Sequence, residues 1–314
     1  MPATDLHQHL WPDGLLRELA RRSAPPRLRS DDRGWMLELA GEPPAVVDPA
    51  AHDPDTRTGL EGIDRIVVAP STPLGIEALP AREAQPLLDA YHEGVLALGA
   101  PFGLWASVPL AAPGRPDELA DLLRKGAAGL CVPAEALAGP AAAARLAPLF
   151  DRLEREDAPL MVHPGAAAGG QGVPSWWPAM TSYVAAMQAA WLAWAEWGRA
   201  AHPRLKVMWA MLAGCAPLHA ERLAARGGPA HAVHDELAWF DVSSYGPRAV
   251  DAMLRVVGVD RLVLGSDRPV VDPPSLASLG PAVSEALARV NPARLLAPAG
   301  AVEAVKPVRL VEAG

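Results

Sequence analysis

Short apolar runs recur along the chain, separated by longer stretches in which apolar residues return every three or four positions. Eight runs have the length and residue types of strands: 5–9, 65–69, 103–108, 128–132, 159–163, 206–211, 238–243 and 261–267. The stretches between them predict helices at 15–19, 81–98, 116–125, 141–155, 183–200, 217–225, 247–257 and 279–290, several of which open on Pro, whose missing N–H costs nothing in a first turn. Strand and helix alternate throughout. That order belongs to a parallel α/β fold, and eight strands point to a closed barrel in one domain spanning 1–314. Residues 23–58 fit neither element type. Rich in Pro, Asp and Arg around a hairpin at 35–39 and 45–47, they read as an insertion after the first strand that covers the barrel mouth.

Composition narrows the function. Half of the 314 residues are hydrophobic and 20% are charged, which provides for a large core and excludes global disorder. The formal net charge of −8 and the lack of any basic run argue against a nucleic-acid partner, so a small-molecule partner is expected. Two distant cysteines, Cys131 and Cys215, suit a reducing compartment. The first strand leaves no room for a signal peptide, and the longest apolar stretch, 183–195, is interrupted by Gln188 and stops at Glu196. A cytoplasmic protein without membrane contact is expected. No internal repeat is visible.

The chemistry begins with His7 and His9. Residues i and i+2 of a strand share a face, so the two imidazoles point the same way at the end of strand one, just before Pro12 and the turn at Asp13-Gly14. In an α/β barrel the active site lies where strands end at their carboxyl face. His163 ends strand five before Pro164-Gly165, and Asp267 ends strand eight before Arg268-Pro269. Taken singly, His163 reads as a hydrogen-bonded loop histidine and Asp267 as a helix cap. Together with the His pair they make an N3O set for one divalent ion, Zn²⁺ first and Mn²⁺ or Fe²⁺ after it, with a position open for water or substrate.

These residues carry a resemblance. Asp5-Leu6-His7-Gln8-His9, Val162-His163-Pro164, Phe240-Asp241-Val242-Ser243, Gly265-Ser266-Asp267-Arg268-Pro269 and Asn291-Pro292-Ala293-Arg294-Leu295-Leu296 together resemble the amidohydrolase superfamily, in the branch of aminocarboxymuconate-semialdehyde decarboxylase and related aromatic-acid decarboxylases. The similarity runs over nearly the whole chain, with the motifs in the family's order. It implies a distorted (β/α)8 TIM barrel, one metal on His7, His9, His163 and Asp267, and either hydrolysis or non-oxidative decarboxylation. Strand four ends Leu130-Cys131-Val132-Pro133 and carries no bridging Lys or Glu, while Lys125 precedes it, so a mononuclear site is implied. Cys131, among apolar neighbours, reads as a buried inert thiol.

One position departs from the family. Its strand six ends in a His that serves as acid or base, and alignment on the Gly214 turn puts Met211 there, a thioether that cannot transfer a proton at neutral pH. His219, His231 and His234 are nearby candidates, each more naturally read as a solvated surface histidine. In a metal-dependent hydrolase or carboxy-lyase, Asp267 would both ligate the metal and shuttle the proton. Ten Trp stand against three Phe and three Tyr. Trp176 and Trp177 follow His163 in a Gly-rich loop, where flat indoles either stack on an unsaturated substrate or form a hydrophobic plug or dimer contact. Trp191, Trp194 and Trp197 form a stripe that reads as helix packing or a homodimer interface. The leading function is a metal-dependent hydrolase or carboxy-lyase acting on a small carboxylate or cyclic, including aromatic, compound. The alternatives are a catalytically degenerate barrel that binds or regulates, motivated by Met211, and a metal-free lyase or isomerase.

Overall fold

Leu6 of the first strand is fully buried within a wall of parallel strands. In the computed structural model, which describes residues 1–314 apart from 33, 58–61, 111–114, 169, 171 and 299–314, β1 (Thr4–Gln8) is followed by three short antiparallel strands, β2 (Arg27–Asp31), β3 (Gly34–Glu38) and β4 (Ala45–Val47). Seven more parallel strands follow: β5 (Arg65–Val68), β6 (Phe102–Ala106), β7 (Ala127–Pro133), β8 (Leu160–His163), β9 (Val207–Trp209), β10 (Ala238–Asp241) and β11 (Leu262–Val263). Their order in the sheet is β1-β5-β6-β7-β8-β9-β10-β11, the sequential order of a (β/α)8 TIM barrel.

The barrel closes irregularly between β11 and β1. Leu6 N donates to Leu264 O (2.9 Å), Asp267 N to His7 O (2.8 Å) and His9 N to Arg268 O (2.7 Å), so residues past the end of β11 continue the ladder. Strand eight is therefore only Leu262–Val263 in regular form, where the sequence predicts 261–267. The backbone of the remaining residues instead holds Asp267 beside the two histidines.

The helices obey their sequence periodicity. In Ala81–Leu98 the buried stripe is Ala84, Leu87, Leu88, Tyr91 and Val95, a 3.6-residue repeat laid against the barrel. The helix Pro247–Val257 has the bounds that its sequence predicts, because Pro247 opens it and Gly258, at φ +84°, stops it. Two predicted helices differ. The one expected at 217–225 is α-helical only over Ala220–Ala224, with 217–219 in a 3-10 stretch, because the chain after β9 first makes a left-handed turn. The one expected at 279–290 starts at Pro281 and runs on through Leu296, held by Asn291, whose Nδ2 donates to Val259 O (2.8 Å) and Leu262 O (2.7 Å).

The insertion holds the expected hairpin, β3 paired antiparallel with β4, and adds β2 to it as a third strand. Its first strand, Arg27-Leu28-Arg29-Ser30-Asp31, is polar by sequence, yet Leu28 pairs with Leu37 and both are buried. Residue 58, the last assigned to the insertion, lies outside the described residues. The segment spans the carboxyl ends of the barrel strands: Gly170 N donates to Gly41 O (2.9 Å), and Trp11 N donates to His52 Nδ1 (3.2 Å) while the two rings stack at 4.4 Å. Gly41 permits this seat, since a Cβ there would fall 1.6 Å from Ala167 O.

Candidate metal centre

His7 points into the barrel from β1, His9 follows one residue past its end, His163 closes β8, and Asp267 lies in the connection after β11. The three histidines are buried and Asp267 is half-buried. One ligand atom from each lies within 4.8 Å of the other three. His7 Nε2 and His9 Nε2 are 3.1 Å apart, and Asp267 Oδ1 is 3.3 Å from His9 Nε2 and 3.7 Å from His7 Nε2. The three imidazole planes are mutually perpendicular, at 84–89°, with centroids 4.8–5.0 Å apart.

Each ring is turned by a bond on its other nitrogen. His7 Nδ1 lies 2.8 Å from Asp241 Oδ2, His9 Nδ1 is 3.0 Å from Ala69 O, and His163 Nδ1 is 2.9 Å from Pro164 O and 2.7 Å from Thr72 Oγ1. With Nδ1–H donating outward, the lone pair of every Nε2 faces the shared centre, the tautomer that metal ligation requires. Asp241 is itself fixed, its Oδ1 accepting from Ser243 N (2.9 Å) and Met211 N (3.1 Å). Gly265 makes room for this pair: a Cβ there would come within 2.9 Å of both Asp241 Cγ and His7 Cβ.

The electrostatics match the geometry. Burial opposes charging His7, but Asp241, Asp267 and Asp5 outweigh it and raise its pKa to about 9. Burial and the neighbouring His7 and His9 push His163 well below the ordinary histidine value. Asp267 stays below the ordinary carboxylate value: burial works against its charge, and His9, His7 and His163 more than compensate. Burial raises Asp5, even though it accepts from His7 N and Ser266 N. The carboxylates of Asp241 and Asp267 face the three imidazoles and set negative charge beside the shared centre. A divalent cation held by the three Nε2 atoms and Asp267 would take the place of protons there and meet the charge of Asp241 and Asp267.

The donor set fits such an ion. Tetrahedral ligands at about 2.0–2.1 Å from a metal stand ~3.4 Å from one another, close to the separations found here. Three imidazole nitrogens and one carboxylate oxygen suit Zn²⁺ and Mn²⁺ alike. Ser244, exposed at the mouth, donates from Oγ to Asp267 Oδ2 (2.9 Å), so the second carboxylate oxygen is held toward the open side. Asp267 adopts φ +61°, a left-handed conformation that turns its side chain back over the histidines at a backbone cost of order 1–3 kcal/mol.

The other sequence candidates fall as follows. Met211 follows β9 closely and opens a run, Met211 to Cys215, in which five successive residues have φ between 44° and 61°. Left-handed geometry costs ~1–2 kcal/mol per non-glycine residue, and bonds from Met211 N to Asp241 and Ser243 and from Gln188 Nε2 to Gly214 O (2.8 Å) brace it. Strand six thus ends at Trp209 and not at Met211. Trp176 and Trp177 are exposed, 5.5 Å apart, in a loop two of whose residues, 169 and 171, lie outside the described ones. His219, His231 and His234 are exposed. Cys131 is buried, and burial pushes its thiol well above the ordinary value. The Trp stripe divides: Trp191 and Trp194 belong to the chain's own core and only Trp197 is exposed, so helix packing accounts for the first two. Among the described residues no helix is long and apolar enough to cross a membrane.

Two residues of the site, Asp241 and Thr72, gain their roles only in the structure. A signal existed for Asp241, the one charged residue in the buried run Ala238–Asp241. Thr72, three residues past the predicted strand 65–69 and flanked by Ser71 and Pro73, carried none.

No family model and no curated protein sequence matches the chain. Solved structures do match in fold. IDCase from Metarhizium anisopliae, in its apo form, is 18% identical with a TM-score of 0.73 over 94% of this chain and 97% of that one. The 2,6-dihydroxybenzoate decarboxylase from Rhizobium is 17% identical, with a TM-score of 0.68 over 94% and 98%. The 5-carboxyvanillate decarboxylase from Novosphingobium aromaticivorans, complexed with manganese and 4-hydroxy-3-methoxy-5-nitrobenzoic acid, is 15% identical, with a TM-score of 0.62 over 77% and 79%. The chain shares the barrel of these proteins.

Proposed function

We propose that this protein is a metal-dependent carboxy-lyase or hydrolase of the amidohydrolase superfamily, acting on a small aromatic or cyclic carboxylate. The observation that carries the reading is the convergence of His7, His9 and His163 through Nε2, together with Asp267, at the carboxyl face of an eight-stranded α/β barrel. A divalent ion bound there supplies Lewis-acid polarisation of a substrate oxygen and lowers the pKa of a coordinated water. Zn²⁺ is the first choice on its donor set, and the manganese in a structure of the same fold makes Mn²⁺ the competitor. The decarboxylases of aromatic acids among the structural neighbours favour C–C cleavage over hydrolysis.

In this reading Asp267 is both ligand and proton carrier, because its second oxygen faces the mouth and no imidazole stands at the end of β9. Trp176 and Trp177 offer flat surfaces for an aromatic substrate, and Met211 a flexible apolar contact. The degenerate barrel gains no support: all four donors and the partners that turn them are in place, and a barrel freed from catalysis has no chemical reason to keep them. We take residues 1–314 as one domain with 23–58 inserted.

The test is product analysis with metal-loaded protein against hydroxylated benzoates, lactones and amides. Metal-dependent release of CO2 from an aromatic acid supports the reading, release of a hydrolysis product moves it to the hydrolase branch, and no turnover with a fully loaded site overturns it.

A further inference from the structure

A second group of metal-type donors lies away from the first, at the end of the barrel where strands begin. Asp151 and Glu154 are three residues apart on one face of the helix Pro140–Glu156, and His202 sits in the connection that leads into β9. One ligand atom of each lies within 4.8 Å of the other two. His202 Nδ1 is 3.5 Å from Asp151 Oδ1.

His202 is the informative member. It is 6% exposed, and its ring is held between two aromatics, edge-on to Phe150 at 5.2 Å and stacked with Trp194 at 6.4 Å. Its backbone is tied down as well, His202 N donating to Gly198 O (2.9 Å) and Arg199 Nη1 to His202 O (3.0 Å). The rigid ring nevertheless leaves Nδ1 buried with no hydrogen-bond partner among the described residues. An unmade bond of that kind is costly for a buried polar atom. Glu154 is positioned too, Oε1 accepting from Arg204 N (2.7 Å) across the same turn. Two carboxylates and one fixed imidazole with a spare nitrogen therefore face one another, and Asp151, 60% exposed in its side chain, leaves the group open to water.

We propose that Asp151, Glu154 and His202 form a peripheral site for a borderline first-row divalent ion of the Zn²⁺ type, with water completing its coordination. The imidazole selects against Ca²⁺ and Mg²⁺, which take oxygen ligands. The ion's role is structural: it ties the end of the helix Pro140–Glu156 to the segment that enters β9, at the end of the barrel opposite the catalytic mouth.

The experiment is Zn²⁺ titration of the chelator-stripped full-length protein in the presence of a competing chromophoric chelator, read as equivalents bound per chain. Wild type takes up two equivalents; Asp151→Asn and His202→Gln take up one, or bind the second at least about tenfold more weakly. Asp151 is exposed, so its variant keeps the fold, as circular dichroism checks, and keeps the wild-type turnover. His7→Ala retains the peripheral equivalent and its rise in thermal midpoint. Equal stoichiometry and affinity in wild type and Asp151→Asn overturn the proposal. A single equivalent that survives His7→Ala and disappears in Asp151→Asn upholds it and counts against the central site instead.

Discussion

Asp241 Oδ2 lies 2.8 Å from His7 Nδ1, with both groups buried, and this contact fixes which nitrogen of His7 faces the centre. Asp241→Asn keeps the shape but removes the charge that holds the proton on Nδ1. Partners of this kind typically contribute about 10–100-fold to metal affinity. The expected outcome is a loss of that size in Zn²⁺ affinity, measured by chelator competition, with the folded state retained. Unchanged affinity would show that Asp241 serves the Met211 turn alone.

Loss of a ligand is more severe. His7→Ala or His163→Ala should each remove most of the central metal, because the set loses both a donor and its geometry. Asp267→Asn should reduce turnover more than metal content, since the amide still offers an oxygen but carries no proton. Elemental analysis beside a rate assay separates the two effects.

Met211→His places an imidazole two residues past the end of β9, at a left-handed backbone position that His tolerates better than most residues. If Asp267 carries the proton in the wild type, the substitution lowers the decarboxylation rate by crowding the substrate. General acid/base catalysis is typically worth ~10²–10⁴-fold. A gain of that order over an undetectable wild-type rate, at equal metal content, is the outcome that contradicts the assignment.

Away from the site, His92 provides a pH probe. It is buried, its Nε2 accepts from Ser107 N (3.1 Å), and burial lowers its pKa to about 4 from 6.5. Between those values the unfolded chain binds a proton that the folded chain does not, so stability falls as pH drops from 6.5 through 4. At ~1.4 kcal/mol per pH unit the contribution reaches about 3 kcal/mol. Denaturant melts at about pH 7 and about pH 4.5, on either side of the ordinary histidine value, should show a smaller loss in His92→Gln than in wild type, although the variant starts less stable.

An interface on the helical stretch after β8 can use only its exposed residues. A charged residue at Trp194 unfolds the chain's own core and says nothing of a dimer, whereas Leu192 and Trp197 are exposed on the same stretch. If the protein is a homodimer through this face, Trp197→Glu shifts the species seen by light scattering to monomer. A wild-type monomer at micromolar concentration removes the interface.

Local patterning alone sufficed for the eight strands, the stripe of the helix Ala81–Leu98, the ends of Pro247–Val257 and the placing of His7, His9, His163 and Asp267 at one face of the barrel, because periodicity, Pro and Gly act over a few residues and strand ends mark that face. Tertiary structure decided what depends on distant residues meeting. Leu28 made a strand of a polar segment by finding Leu37. Packing in the main core buried Trp191 and Trp194, and Asp241 gained its role only by reaching His7 across 234 positions of sequence. The left-handed turn at Met211 had Gly214 as its one local signal, since the other residues in it disfavour that conformation, and bonds to Asp241, Ser243 and Gln188 help to hold it.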